Sequence, residues 1–312
     1  MDKPCLIAIT GATASGKTAV SVRLCQQIGG EIVSCDSMQI YRGMDIGTAK
    51  AGEAERHGVP HHMLDIIDPR ESYSVSAFHD QAKEIIEGIL ARGRQPVLCG
   101  GTGLYIDALT KPMSFSAQGS ESLQNELRAI AAQPDGRERL HEMLAAIDPD
   151  SARRLHKNDV RRVLRAIEIY RLTGRTMTEQ MAVDHSGEGD YRVMLFALKW
   201  PREALYERID SRVDQMIAQG LVDEVEKLIR RGVPLESTAM QALGYKEIAA
   251  TLNGLCTTEE AVEAIKLGTR HYAKRQLTWL RRDGRVHWIP AQNRSVEEIV
   301  SDILKEIGTN AD

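Results

Sequence analysis

The sequence predicts an α/β fold: a parallel-sheet core carrying a phosphate-gripping turn and interrupted by an all-helical insertion. Three observations predict it. Short apolar runs alternate with helix-patterned segments, one strand–helix junction reads GATASGKT, and strand signals stop between about Pro112 and Tyr191.

Taken in order, the strand runs are CLIAIT, EIVSC, QPVLCG, VMLFALKW and RVHWIP. Most are separated by helical patterns, as parallel βα units with helices on both faces require. SYSVSAFHDQAKEIIEGILARG reads as a crossover helix ended by Gly93. PREALYERIDSRVDQMIAQG reads as a helix over 202–219, with Pro201 in its first turn and Gly220 at its end. TTEEAVEAIKLGTRHYAKRQLTWLRR opens with a capping box, Thr257 with Glu260, and runs long. In the middle of the chain SLQNELRAIAAQ, GRERLHEMLAAI and NDVRRVLRAIEIYRLTG are all helical patterns, and DHSGEGDY reads as the return loop. The expected organisation is a core of residues 1–112 and 192–312 with a helical insertion over 113–191.

Composition bounds the function. The 312 residues are 42% hydrophobic and 27% charged, ordinary for a globular protein, and the net charge of −4 leaves any nucleic-acid surface to local patches. The five cysteines are scattered without a CxxC pair and are expected as reduced thiols. The N-terminus enters a strand almost at once, and no apolar run approaches the ~20 residues of a membrane span. A cytoplasmic protein without membrane partners is the expectation.

GATASGKT fits G-x-x-x-x-G-K-[ST], whose four fixed positions match by chance in only ~1% of chains this long. A Gly-rich turn from strand to helix exposes consecutive backbone N–H groups and the positive end of the helix dipole. Gly11 and Gly16 allow the turn, Lys17 reaches a terminal phosphate, and the Thr18 hydroxyl is placed to ligate Mg²⁺. A P-loop NTPase-like core follows, though transfer of a phosphoryl group does not, since that needs further parts that spacing alone does not assign. Asp36, ending the second strand, is read either as a magnesium-shell acid, a general base or a turn aspartate. Its position rests on the expectation that this strand lies beside the P-loop strand. Gly100-Gly101-Thr102-Gly103 is read either as a close-approach ligand turn or as a tight strand–helix turn.

With these pieces placed, the chain resembles the tRNA dimethylallyltransferases, also called tRNA isopentenyltransferases. The matching stretches are GATASGKT, IVSCDSMQIYRGMDIGTAK, PHHMLDIIDPRESYSVSAF, PVLCGGTGLYIDAL, NDVRRVLRAIEIYRLTG, ERIDSRVDQM, QALGYKE and KRQLTWLRR, in order over most of the chain. The segment from about Ser114 to Gln133 matches only loosely. The resemblance implies transfer of a dimethylallyl group from dimethylallyl diphosphate to N6 of adenosine 37, with the P-loop holding a diphosphate leaving group. Gly11, Thr13, Ala14, Ser15, Gly16, Lys17 and Thr18 would then bind the donor, through the backbone N–H groups of 13–18 and with Mg²⁺ at Thr18. It also implies Arg212 at the diphosphate, with Arg208 a surface or supporting partner, Asp36 as the base and Thr102 bonded to the reacting nitrogen.

For the tRNA anticodon stem-loop the resemblance implies contacts from Asp36, Ser37, Met38, Gln39, Thr102, Arg161, Arg162, Arg165, Gln241, Gly244 and Lys246, with Arg128 in the loosely matched segment. Residues 151–175 carry eight Lys/Arg against two acids, and RHYAKRQLTWLRRDGRVHW carries six Lys/Arg among tyrosine and tryptophans. Each stretch alone reads as a solvated face; together, at family positions, they read as an RNA surface. PHHML suggests no ligand set, because adjacent histidines point apart. A monomer is expected. Rival readings are a P-loop small-metabolite kinase, an adenylate isopentenyltransferase acting on free nucleotides, and a non-catalytic RNA-binding module. The DDxxD motif of prenyl-chain synthases is missing, as the sequence has no Asp-Asp pair.

Overall fold

The computed structural model describes residues 3–113, 115, 119–186 and 189–309. Two compact units emerge, one of residues 1–110 with 190–312 and one of residues 111–189.

The first unit begins β1 (Cys5–Gly11), α1 (Lys17–Ile28), β2 (Gly30–Cys35), α2 (Glu53–Arg56), β3 (His61–His62), α3 (Val75–Ala91), β4 (Gln95–Gly100) and α4 (Gly103–Thr110). The second unit holds α5 (Glu121–Ala131), α6 (Gly136–Ile147), α7 (Pro149–Arg154), α8 (Val160–Thr173) and α9 (Met177–Ser186). The chain then re-enters the first unit as β5 (Arg192–Lys199), α10 (Arg202–Ala218), α11 (Leu221–Arg230), α12 (Tyr245–Leu252), α13 (Thr258–Leu280), β6 (Val286–Pro290) and α14 (Val296–Thr309).

Every pairing in the sheet is parallel, in the order β3-β2-β4-β1-β5-β6. Alternation along β1 sends Ile7 and Ile9 into a core with Val20, Leu24, Val300 and Ile303, and Leu6 and Ala8 into one with Phe78, Ala82 and Ile106. Both faces are therefore roofed by helices, and the strands read as near-continuous apolar runs for that reason.

The order corrects one expectation. β2 does not lie beside the P-loop strand; β4 intervenes and pairs with both. Loops after β1, β2 and β4 still open on one edge, because the carboxyl ends of all three parallel strands point the same way.

Local differences have local causes. Pro201 precedes α10 as its N-cap, with an extended ψ of 148°, rather than lying in the first turn. The capping box of α13 forms as expected, with Thr257 N–H donating to Glu260 at 2.8 Å and Glu260 N–H to Thr257 at 3.2 Å. β3 was missed because an edge strand of two residues is too short for periodicity to register. Its His62 bonds the buried Glu31 carboxylate at 2.7 Å, which gives the histidine pair a structural role.

In the second unit Leu127, Leu140, Leu144, Val163 and Ile167 form one core. Two helices there escaped the sequence reading. α7 starts where Asp148 caps Ser151 N–H, and the same carboxylate accepts Thr178 N–H at the start of α9. The helix runs through residues 184–186, so the expected return loop begins later; its residues 187–188 lie outside the described residues.

Candidate active site

The turn after β1 is built around two glycines. At Gly11, φ is +144° and a Cβ would stand 2.9 Å from Ser15 Oγ; at Gly16, φ is +93° where α1 begins. Ala14 also sits at positive φ, +61°, a conformation an alanine holds only when its surroundings insist. Three side chains insist. Arg208 Nε donates to Ala14 O at 2.8 Å, Trp200 Nε1 donates to Ser15 O at 3.0 Å, and Thr13 N–H donates to Gln276 Oε1 at 2.8 Å. The Arg208 guanidinium stacks 4.3 Å over the Trp200 ring, so two of the clamps brace each other. The Thr13 amide is thus engaged by Gln276, while the residue itself lines the cleft. The Ser15 hydroxyl is buried with no hydrogen-bond partner among the described residues.

Two cations face this turn. Lys17 Nζ donates to Ala12 O at 2.8 Å, and burial lowers its ammonium to about 8, with Cys99 and Asp36 opposing the fall and Arg212 adding to it. Arg212, one turn beyond Arg208 on α10, makes no ion pair or hydrogen bond among the described residues. Burial also lowers its pKa, against the charges of Asp36 and Glu55. A guanidinium taken out of water without a partner is costly, and its natural complement is an anion.

On the opposite side, β2 and β4 pair Cys35 with Gly100, where a Cβ would stand 2.3 Å from Cys35 O. This close approach delivers Thr102, whose N–H donates to Cys35 O at 3.1 Å, to the loop after β2. Thr102 Oγ1 accepts Ser37 N–H at 3.1 Å and lies 3.3 Å from Ser37 Oγ. Asp36 Oδ1 accepts Met38 N–H at 2.9 Å and Gln39 N–H at 3.4 Å, while Oδ2 has no hydrogen bond among the described residues. Asp36 is thus a turn aspartate through one oxygen and open to chemistry through the other.

Lys17, Thr18, Asp36, Arg208, Arg212, Tyr272 and Gln276 line one cleft of about 1190 Å³. The Tyr272 phenol is pushed up to about 12 by burial and the Asp36 charge, with Thr102 and Gln276 as polar neighbours.

The remaining expected residues are distributed around this cleft or away from it. Gln39 uses its amide nitrogen on Thr48 O and Ala49 O, so it shapes the loop that frames the opening. Met38 packs into the cluster of Met240, Ala242 and Tyr245. That contact brings the loop after β2 together with the 241–246 segment, where Gln241 is exposed, Gly244 caps α12 at φ +93° and Lys246 stands 3.6 Å from Glu247.

Arg128, Arg161, Arg162 and Arg165 belong to the second unit. Arg161 is exposed, Arg162 pairs with Asp159, and Arg165 pairs at 2.7 Å with the buried Glu168. Arg153, Lys157 and Arg171 also pair, with Asp150, Glu138 and Glu126. All three of these acids lie outside residues 151–175, so the charge read from that window overstates the local field.

Sequence reasoning missed Trp200, Gln276 and Glu224. The Glu224 carboxylate accepts N–H groups of Asp45, Ile46 and Gly47 and the Tyr245 hydroxyl, fixing the loop that frames the cleft. For Gln276 a signal existed: on α13 it falls between Ala273 and Leu280, a polar residue at a core position of the helical period.

A glycine-built turn facing Lys17 and Arg212, which make no ion pair among the described residues, with an open carboxylate across the cleft, is an arrangement suited to group transfer from an anionic donor. Similarity to known proteins narrows this. The model of the IPP transferase family matches residues 39–283. The tRNA dimethylallyltransferase of Carboxydothermus hydrogenoformans is 45% identical over 305 residues, covering 98% of each chain. That of Geobacter metallireducens is 46% identical over 303 residues, covering 97% of each. Among solved structures, the tRNA isopentenylpyrophosphate transferase of Bacillus halodurans superposes with a TM-score of 0.74 at 43% identity, covering 98% of this chain and 96% of that one. A eukaryotic dimethylallyltransferase acting on tRNA superposes at 0.81 with 30% identity, covering 93% of this chain and 74% of its own. The chain belongs to the IPP transferase family.

Proposed function

We propose that this protein transfers the dimethylallyl group of dimethylallyl diphosphate to N6 of adenosine 37 in tRNA, releasing diphosphate. The observation that carries the reading is the pairing, in one cleft, of an unsatisfied cationic P-loop with the open oxygen of Asp36. The names of the relatives support the same chemistry.

The free amides of the turn, Lys17 and Arg212 hold the diphosphate and stabilise the charge it gains as the C1–O bond breaks. N6 of the adenine forms the new bond to C1, and its proton passes to Asp36 Oδ2, which balances the step. Thr102 orients the amine, whose lone pair is otherwise spread into the purine ring. Thr18 lines the cleft at the first turn of α1, and its hydroxyl makes no hydrogen bond among the described residues, which leaves its oxygen lone pairs available to a Mg²⁺ ion. Mg²⁺ there would supply further charge to the leaving group.

The adenine must leave its stack to reach the cleft. In the first unit the exposed Gln241 and Lys246, and in the second the basic residues of α8, are each suited to RNA contact. Among the described residues no helix is long and apolar enough to cross a membrane. The reading takes the protein to act as a cytoplasmic monomer.

The test incubates the protein with radiolabelled dimethylallyl diphosphate, Mg²⁺ and either unmodified tRNA or AMP. Label in tRNA alone is expected. Label in AMP alone would establish the free-nucleotide activity instead, and label in neither would reject the transfer.

A further inference from the structure

We infer that Gln276 is a positioning residue: its one side-chain amide ties the donor-gripping turn to the acceptor-side turn and sets the distance across which the prenyl group moves. This rests on the transfer reading above.

The geometry is a bridge. Gln276 Oε1 accepts Thr13 N–H at 2.8 Å, and Gln276 Nε2 donates to Gly101 O at 2.9 Å. Thr13 lies four residues before Lys17, in the turn that closes on the donor. Gly101 adjoins Thr102, the hook for the accepting amine. These turns follow β1 and β4, and this amide bonds to both. The residue is only 7% exposed, so both hydrogen bonds are largely sheltered from bulk water.

The glycine at 101 is explained by the same contact. A Cβ there would stand 2.2 Å from Gln276 Nε2 and 3.3 Å from Gly11 O. The backbone of Gly101 does not need positive φ, so the demand for glycine comes from the bridge rather than from conformation. Oxygen and nitrogen are both required, in a fixed order, because the bridge joins a donor to an acceptor. Few side chains meet that condition. A glutamate ion offers two acceptors and would face the Gly101 carbonyl with a charge, whereas a protonated glutamic acid again offers one acceptor and one donor.

That property supplies the test. In Gln276→Glu, kcat relative to the parent protein is expected to fall ~10–100-fold at pH 8 and to recover as pH drops toward 6, where the buried carboxyl takes up its proton. The KM for each substrate should move less than about threefold, because the contacts to donor and RNA remain. The titratable and charged groups lining the cleft are Lys17 and Arg23 on α1, Asp36 after β2, Asp45 and Lys50 in the loop that follows, Glu55 on α2 with His57 after it, Cys99 on β4, Glu207, Arg208 and Arg212 on α10, Tyr272 on α13, and Glu297 on α14. The Arg275 charge acts on Tyr272 as well. All are present in both proteins, and Gln276→Ala, which adds no charge, is the control for their titration: its ratio to the parent should stay flat from pH 6 to 8.

Gly101→Ala offers a second route. Its methyl should push the amide aside and lower kcat, while Gly101→Ala combined with Gln276→Ala should be no worse than Gln276→Ala alone, since the methyl then enters vacated space. A pH-independent ratio with kcat within threefold of the parent, or strictly additive losses in the pair, would overturn the bridge. A loss appearing wholly in the donor KM would make Gln276 a support of the P-loop only, and would also overturn it. The parent protein's own labelling of tRNA, run in parallel, tells failure of this inference from failure of the transfer reading.

Discussion

Raising the pH from 7 to 9 is expected to weaken binding of dimethylallyl diphosphate about tenfold. Lys17 is held at about 8 chiefly by burial in the cleft. Only the ammonium form complements the diphosphate, and that form is lost as pH rises through this value, so the sign is a loss of affinity in alkali. With a midpoint of about 8, the protonated fraction falls from roughly nine-tenths at pH 7 to roughly one-tenth at pH 9, which gives the tenfold figure. Titration calorimetry with an unreactive thiodiphosphate analogue measures it directly. Lys17→Arg should bind with little pH dependence over this range, because a guanidinium stays charged. The comparison also cancels titration of the ligand itself. Wild-type affinity that changes less than twofold between pH 7 and 9, matching the arginine variant, would refute the reasoning.

Four further outcomes follow from the same geometry. Lys17→Met should stabilise the donor-free protein at pH 7, by on the order of 3 kcal/mol before loss of the bond to Ala12 O, and thermal melts should show the gain shrinking as pH passes 8. Asp36→Ala should cut turnover at least 10²–10⁴-fold while calorimetry shows donor binding nearly intact; near-normal turnover would remove Asp36 from the chemistry. Glu224→Ala strands three backbone N–H groups and the Tyr245 hydroxyl, and should cost on the order of 3 kcal/mol in urea unfolding. Filter binding of tRNA should weaken roughly tenfold for every two to three phosphates neutralised between 50 and 200 mM salt, and a flat response would contradict the basic surface.

How far the site was legible depended on how local each signal was. GATASGKT is a contiguous pattern whose glycines permit the turn, although the positive φ of Ala14 is held by side chains distant in sequence. Asp36 was visible as the acid ending a strand, but its use of one oxygen for the turn and the other for the cleft was not. Arg212 stood out only through the family resemblance, since an arginine on a helix with exposed neighbours has no signature of its own. Its meaning came from being half-buried and, among the described residues, without an ion pair or hydrogen bond. The charge of residues 151–175 was misjudged for the reverse reason, because partners distant in sequence are near in space.

Taken alone, the sequence determined the elements whose causes are short-ranged: the parallel strands from their apolar runs, α13 from its capping box, the phosphate turn from its glycines. Only the tertiary structure decided which strands adjoin, and so that β4 stands between β1 and β2. It also decided which distant side chains clamp the turn, as Gln276 does across 263 positions of sequence from Thr13. Hydrogen bonds and charges act over a few ångströms of space whatever the separation along the chain, and no pattern in a linear window records that distance.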